Sequence, residues 1–321
     1  LTCLFFHYET QPVPNPLSWY LHQLPGWFHR AEVLFNHLVE LVAPWGVFGP
    51  RRVRHTAGGF IVAFQLLLIL SGNLSFLNWL TMVIALGCFD DSLYGRLLPE
   101  SLCQRFERAE RGASVTKARR ITVGVLTFIV AVLSLNPVVN MLSPRQAMNA
   151  SFEPLGLVNT YGAFGSIERE RREVILEGTT DPFLSAETRW FAYELPCKPG
   201  DIYRRPCVRA PYHYRLDWQM WFAGISGNYR YEPWIVHLVY KLLRGNHEVD
   251  RLFAYNPFPK RPPRFVRARY YRYHFTRLGD KSGAWWRREL IGDYLRPLSL
   301  DNLDFQVFLA DRGWWKGLPN Q

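Results

Sequence analysis

From His55 to Phe89 the chain reads HTAGGFIVAFQLLLILSGNLSFLNWLTMVIALGCF, 35 residues without an Asp, Glu, Lys or Arg. As one straight helix it would measure roughly 52 Å at 1.5 Å per residue, against about 30 Å of hydrocarbon in a bilayer. Ser71-Gly72-Asn73 interrupts the run near its middle with turn chemistry. The run is therefore expected to fold as a tight helical hairpin with arms 55–70 and 74–89. Downstream, residues 121–141 are uncharged throughout, with an Asn136-Pro137 break near one end. Upstream, residues 31–48 are mostly apolar, yet Glu32, Asn36 and Glu40 recur every fourth residue and share a helical face with His37 nearby. Ionisable groups are costly at membrane depth, so that stripe is expected to face other helices or a wet cavity. Four candidate spans result: 31–48, 55–70, 74–89 and 121–141.

A mean hydropathy of −0.11 hides this organisation. Residues 143–321 hold 27 of the 38 Lys and Arg and 19 of the 27 Asp and Glu, so a lipid-facing front precedes a water-facing back. Orientation follows from the cations in the short connections. Arg51, Arg52 and Arg54 follow the first span, and Arg96, Arg105, Arg108, Arg111, Lys117, Arg119 and Arg120 lie between the third and fourth, whereas the Ser71–Ser75 turn carries none. Both basic connections, including the loop 90–120, are expected in the cytosol. Residues beyond about Ser143 are then expected in the lumen or outside the cell.

Asn149-Ala150-Ser151 is an N-glycosylation sequon just past the last span, usable on the lumenal side. Asn73-Leu74-Ser75 is another, expected to stay unmodified in a tight turn at the membrane surface. Cys197 and Cys207 enclose a turn-rich KPGDIYRRP loop and are expected to form a disulfide in an oxidising compartment. Cys88 and Cys103 are not expected to pair. Residues 158–167, 173–177, 190–195, 212–222, 265–275 and 285–294 read as strands from their aromatic and β-branched content. Residues 233–243 have helical spacing, 249–254 extend that helix or form a second, 256–264 form a Pro-rich link, and 299–309 read as a final helix capped near Ser299 or Asp301. The expected fold class is a multi-pass α-helical membrane region (1–142) followed by a lumenal α+β domain with a mostly antiparallel sheet (143–321).

No strong catalytic signature is present: Gly-x-Ser-x-Gly, His-Glu-x-x-His, Cys-x-x-Cys and phosphate-binding Gly-rich loops are all missing. His213 and Asp217, four apart on an expected strand, fit an ion-pair row with Arg215 as well as a base and its orienter. His37 and Glu40 read as a polar contact between helices or an intramembrane acid–base pair, and Asp90-Asp91 as a solvated helix end or a weak cation site. The run 260–275, KRPPRFVRARYYRYHF, interleaves cations with aromatics as single-strand nucleic-acid binders do. An extracytoplasmic location disfavours that partner, leaving a solvated sheet face or a headgroup-facing surface. Of 12 Trp residues, two or three are expected to be exposed as anchors for a partner.

Residues 15–44 (NPLSWYLHQLPGWFHRAEVLFNHLVELVAP), 71–91, 158–167, 197–223 (CKPGDIYRRPCVRAPYHYRLDWQMWFA) and 256–275 resemble the lipase maturation factor family, and the likeness runs over nearly the whole chain. The chain begins Leu-Thr-Cys and lacks the amino-terminal spans expected of that family, so it reads as amino-terminally incomplete. The resemblance implies a multi-pass endoplasmic reticulum membrane protein that helps homodimeric secreted lipases, such as lipoprotein lipase and hepatic lipase, reach an active state. It implies no enzymatic activity, cofactor or metal, and partners limited to those lipases and membrane lipid, without nucleic acid. The client-binding surface is expected within residues 190–290, with Trp218, Trp221, Tyr270, Trp285 and Trp286 as its candidates. The alternative is an integral-membrane enzyme acting on a hydrophobic substrate through Glu32, His37 and Glu40.

Overall fold

A computed structural model describes residues 1–111, 116–162 and 167–317. Its contacts divide the chain into two units, one of residues 1–88 together with 168–321 and one of residues 89–167. This is not a division at residue 143: the amino-terminal helices and the sheet share one folded body, for reasons the side chains below supply.

That body begins with α1 (Leu4–Thr10) and α2 (Pro16–His22). Asn15 starts α2 with a capping box, its side chain accepting from Ser18 N–H while the Ser18 hydroxyl accepts from Asn15 N–H. Next comes α3 (Gly26–His37), which widens into a π-helical turn (Leu38–Val42) before the short α4 (Ala43–Gly46). Pro44 explains the widening, since its ring cannot be accommodated over the carbonyl four residues back in a regular α-helix. Helix α5 (Arg51–Ser71) has 21 residues, about 32 Å. Helix α6 (Leu77–Ala85), prolonged by a 3-10 turn to Cys88, is shorter than the expected arm 74–89. Residues 72–76 stay out of the helix because Asn73 is committed to other partners and Ser75 sits at φ +65°. Arg54 Nε donates to Cys88 O at 3.0 Å, closing the open end of the hairpin.

The second unit contains α7 (Asp91–Leu97), α8 (Glu100–Arg111), α9 (Lys117–Leu133) and α10 (Leu135–Leu142). Helices α9 and α10 form one apolar stretch of 26 residues, long enough to cross a membrane, as is α5. Thr116 caps α9 by accepting from Arg119 N–H. The strand expected over 158–167 is not formed in its described part, which makes a single bridge between Ser151 and Asn159. Glu153 holds that stretch as a turn by accepting from Leu155 and Val158 N–H. Residues 163–166 of the expected strand, and 112–115 of the basic loop, lie outside the described residues.

In the first body the sheet is antiparallel throughout in the order β2-β1-β3-β4, with β1 (Arg171–Thr179), β2 (Phe191–Ala192), β3 (Phe265–Phe275) and β4 (Trp286–Leu298). Four of the expected strands are thus present, β2 shorter and β4 longer than expected. The expected strand 212–222 is instead helix α11 (Arg215–Ser226). Leu216, Asp217, Met220, Ala223 and Gly224 are its buried residues, a helical stripe, and Gly227 ends it at φ +65°. Helices α12 (Trp234–Leu243), α13 (His247–Asp250) and α14 (Leu303–Ala310) complete the body. Helix α14 is capped by Asn302, whose side chain accepts from Phe305 N–H, rather than by Ser299 or Asp301.

The two sheet faces bury different things. Val174, Leu176, Val266 and Ala268 lie on one face and pack with Met220, Ala223, Ile235, Val239, Leu242 and Leu309 in the main core. Gly224 lets α11 approach β1, for a Cβ there would lie 2.2 Å from Arg172 O. On the other face, Tyr273, Phe275 and Trp286 pack with Trp19 of α2 in a second core.

Candidate functional site

The second core is where the amino-terminal helices are joined to the sheet. Arg171, at the start of β1, is fully buried and reaches the end of α1: Nη1 donates to Glu9 O (2.8 Å) and Gln11 O (2.5 Å), and Nη2 to Pro12 O (3.0 Å). Its Nε donates to Glu173 Oε1 at 2.7 Å, and Lys198 pairs with the other Glu173 oxygen. Asp217 in turn accepts from the backbone N–H of Cys197 and Lys198 at 2.8 and 2.7 Å. Two cations and two carboxylates are therefore buried together, an arrangement tolerable only when each is paired. Burial lowers Lys198 well below its ordinary value, with the Arg171 charge adding to it, and burial raises Asp217 against those backbone hydrogen bonds.

Glu9 is a second junction. Its carboxylate accepts from Phe275 N–H (2.8 Å), lies 3.0 Å from His274 Nδ1 and 3.7 Å from His22 Nε2. Trp221 Nε1 donates to Thr10 O, Trp19 Nε1 to Thr276 Oγ1, and Gln23 Nε2 to Thr276 O.

Asn73 at the hairpin tip is a third. It is 2% exposed; Nδ2 donates to Val13 O and Cys207 O, and Oδ1 accepts from Arg209 and Ala210 N–H. Its amide is engaged on both sides and leaves no room for a glycan in the folded body. The other sequon residue, Asn149, is exposed, with Oδ1 accepting from Gly162 N–H. Cys197 and Cys207 are disulfide-bonded with Cα atoms 5.5 Å apart, while Cys3, Cys88 and Cys103 are free.

The candidate contact residues sit in packing positions. Trp286 is 1% exposed in the second core; Trp285, half-buried, packs edge-on against Trp19; Tyr270 packs on the main core and donates to Gly224 O. Trp218 and Trp221 are half-buried, Trp221 holding α1. The exposed large aromatics of the sheet portion are instead Phe183, Phe191, Tyr203, Tyr212, Phe222, Tyr231 and Tyr255. Large rings at aromatic-rich positions are as useful for joining two layers as for binding, and composition does not separate the two uses.

The two carboxylates of the enzyme alternative have different partners. Glu32 accepts from Tyr8 Oη at 2.6 Å and lies 3.3 Å from His29, whereas Glu40 accepts from Asn36 and is exposed, as is His37. His213 is not on a strand with Asp217 but lies before α11, 2.8 Å from Ser75 Oγ. Asp90 precedes α7 and accepts from Ser92. Among the described residues no three His, Cys, Asp or Glu side chains gather as metal ligands.

Apolar helices joined through buried polar clamps to a small α+β portion define a membrane protein with a folded extramembrane part. A family model described as the lipase maturation factor transmembrane domain matches residues 1–96, and one described as the lipase maturation factor C-terminal domain matches residues 157–296. The chain belongs to the lipase maturation factor family. It is 50% identical to lipase maturation factor 1 of Bos taurus and of Homo sapiens, over 98% of this chain and 58% of each relative. It is 29% identical to lipase maturation factor 2 of Homo sapiens, over 99% of this chain and 58% of that relative. The chain thus spans 58% of the length of these curated relatives. No solved structure matches it.

Proposed function

We propose that this chain acts as a multi-pass endoplasmic reticulum membrane factor, chaperone-like rather than enzymatic, in the maturation of homodimeric secreted lipases such as lipoprotein lipase and hepatic lipase. Its α+β portion works in the lumen. The observation that carries this reading is the triple clamp at Arg171, Glu9 and Asn73, which ties the sheet to one end of the apolar helices. Following the chain, Gln23 is bonded to the sheet region, α3 and α4 lead away to Arg51, Arg52 and Arg54, α5 returns to Ser71 beside Gln11 and Ser18, and α6 leads back to Cys88 next to Arg54. Sheet contacts lie at one end of this traverse and cations at the other, which supports basic connections in the cytosol and the sheet in the lumen. Span 121–141 then returns the chain to the lumen, where Asn149 is a glycan acceptor and the Cys197–Cys207 bond is stable.

Unassembled lipase subunits expose apolar interfaces and unpaired edges, and a tethered domain with exposed aromatics holds them until they pair. Phe183, Tyr203 and Tyr231 replace the packed tryptophans as the proposed client-facing residues. Co-expression with a homodimeric lipase and with a monomeric secreted lipase tests the proposal. Activity per unit of secreted enzyme is expected to rise several-fold for the dimer and stay level for the monomer; an equal response, or none, rejects it.

A further inference from the structure

The loop that follows the disulfide is anchored to the hairpin tip rather than to the sheet. Asn73 holds the backbone of Cys207, Arg209 and Ala210 at 2.6–3.1 Å, and Ser75 Oγ lies 2.8 Å from His213 Nδ1. Residues 207–213 are thereby fixed two to four positions beyond the end of α5, whose Leu66, Leu67 and Leu70 are exposed up to that end. At the same level the hairpin exposes Phe76 and Trp79.

The loop's composition is unusual for a water-facing turn. Val208 is 70% and Tyr212 59% exposed. Arg209 lies over the rings of Tyr212 and Tyr214, at 5.9 and 5.1 Å, and donates to Tyr214 Oη. Val208, Arg209, Ala210, Tyr212 and Tyr214 line an open concavity of about 390 Å³. Between Ile202 and Leu216 the sequence has four Arg and no carboxylate; Arg204 is turned inward onto Leu195 O and Lys198 O, leaving Arg205, Arg209 and Arg215 exposed. Exposed apolar groups, phenol rings and unopposed guanidinium groups beside the end of an apolar helix are the chemistry of a bilayer interface. There, amphipathic rings sit at headgroup level and arginine binds phosphate.

We infer that residues 207–214 are an interfacial anchor that docks on the glycerophospholipid headgroup layer where α5 and α6 meet. Val208 and Tyr212 enter below the phosphates, and Arg209 binds a lipid phosphate. The inference rests on the membrane reading of α5. Its consequence is a second attachment of the sheet to the bilayer, through lipid as well as through the hairpin, which fixes how the extramembrane part is presented.

The test uses the full chain in phosphatidylcholine nanodiscs with two photoactivatable phosphatidylcholines, one reactive at the headgroup and one at the acyl terminus, followed by peptide mass spectrometry. Phe183, 80% exposed, is the reference: it lies beyond the far end of β1, roughly 27 Å of strand from the Arg171 clamp. The acyl probe is expected to label residues 55–70. The headgroup probe is expected to label 208–214 at least fivefold more than the peptide bearing Phe183. In the double variant Val208→Asp, Arg209→Glu that label should fall at least fivefold with residues 55–70 still labelled and the melting temperature retained. Labelled 55–70 with 208–214 no higher than the Phe183 peptide overturns the anchor alone. Unlabelled 55–70 overturns the membrane reading and the anchor together. Protection of 208–214 by an added lipase, without lipid label, assigns the surface to a client and overturns the anchor.

Discussion

Glu9 serves three partners from one carboxylate, and its two histidines are shifted in opposite directions. The hydrogen bond that His274 donates to the Glu9 carboxylate raises His274 above the ordinary imidazole value, against burial and the charges of Arg272 and Arg287; burial lowers His22, with Glu9 opposing. A raised histidine contributes stability that is complete below its unfolded value and lost as pH rises through its folded value. A lowered histidine contributes stability that is complete above its unfolded value and lost as pH falls through its folded one. NMR titration of labelled imidazoles should find His274 above and His22 below about 6.5. Glu9→Gln should bring His274 to that value or lower; an unmoved His274 would show that Glu9 is not the cause. At Asn73, replacement by Ala strands the two backbone N–H groups and two carbonyls it now satisfies. A loss of about 3 kcal/mol in denaturant unfolding is expected, given roughly 1–3 kcal/mol for each buried group left without a partner. A loss under about 0.5 kcal/mol would mean the hairpin tip is not held there.

At the scale of elements, α11 depends on its approach to β1. Gly224→Ala puts a methyl against Arg172 O and should cost about 1–3 kcal/mol through forced separation of helix and sheet. Thermal unfolding reads this directly, and a neutral result would place α11 farther from the sheet. The same helix marks where the sequence was misleading. Residues 212–222 are rich in aromatics, which suggested a strand, yet hold no Val, Ile or Thr, and their buried positions recur with helical spacing. Strand β3 was legible to its end residues, because Val266 and Ala268 alternate with charged neighbours and a Pro-rich link precedes them. The break at Ser71-Gly72-Asn73 is legible from turn residues set within an uncharged run too long for one span, although the second arm is shorter than expected. The role of Arg171 was not: an arginine opening a strand looks solvated until the carbonyls of residues 9, 11 and 12, some 160 positions earlier, fold around it. The contacts of Trp221, Trp285 and Trp286 with the amino-terminal helices were hidden for the same reason, since a second layer on the sheet comes from a distant part of the chain.

For the whole molecule, that second layer means the amino-terminal helices and the sheet stand or fall together. Removing residues 143–321 would strip the helices of their partners at Glu9, Gln11 and Asn73 and would not report on client binding alone. Replacing Arg171 with Ala leaves Glu173 and Lys198 buried without their third member and should cost about 3–5 kcal/mol. The proposed orientation puts the sheet of this body in the lumen and its Arg51–Arg54 in the cytosol, with the 90–120 connection of the second unit also cytosolic. Trypsin on sealed microsomes tests it most directly, because residues 143–321 carry 27 Lys and Arg that would be cut readily if accessible. Cleavage confined to the basic connections, with the carboxyl-terminal fragment surviving until detergent is added, is the expected result; digestion of that fragment in intact vesicles would contradict the account.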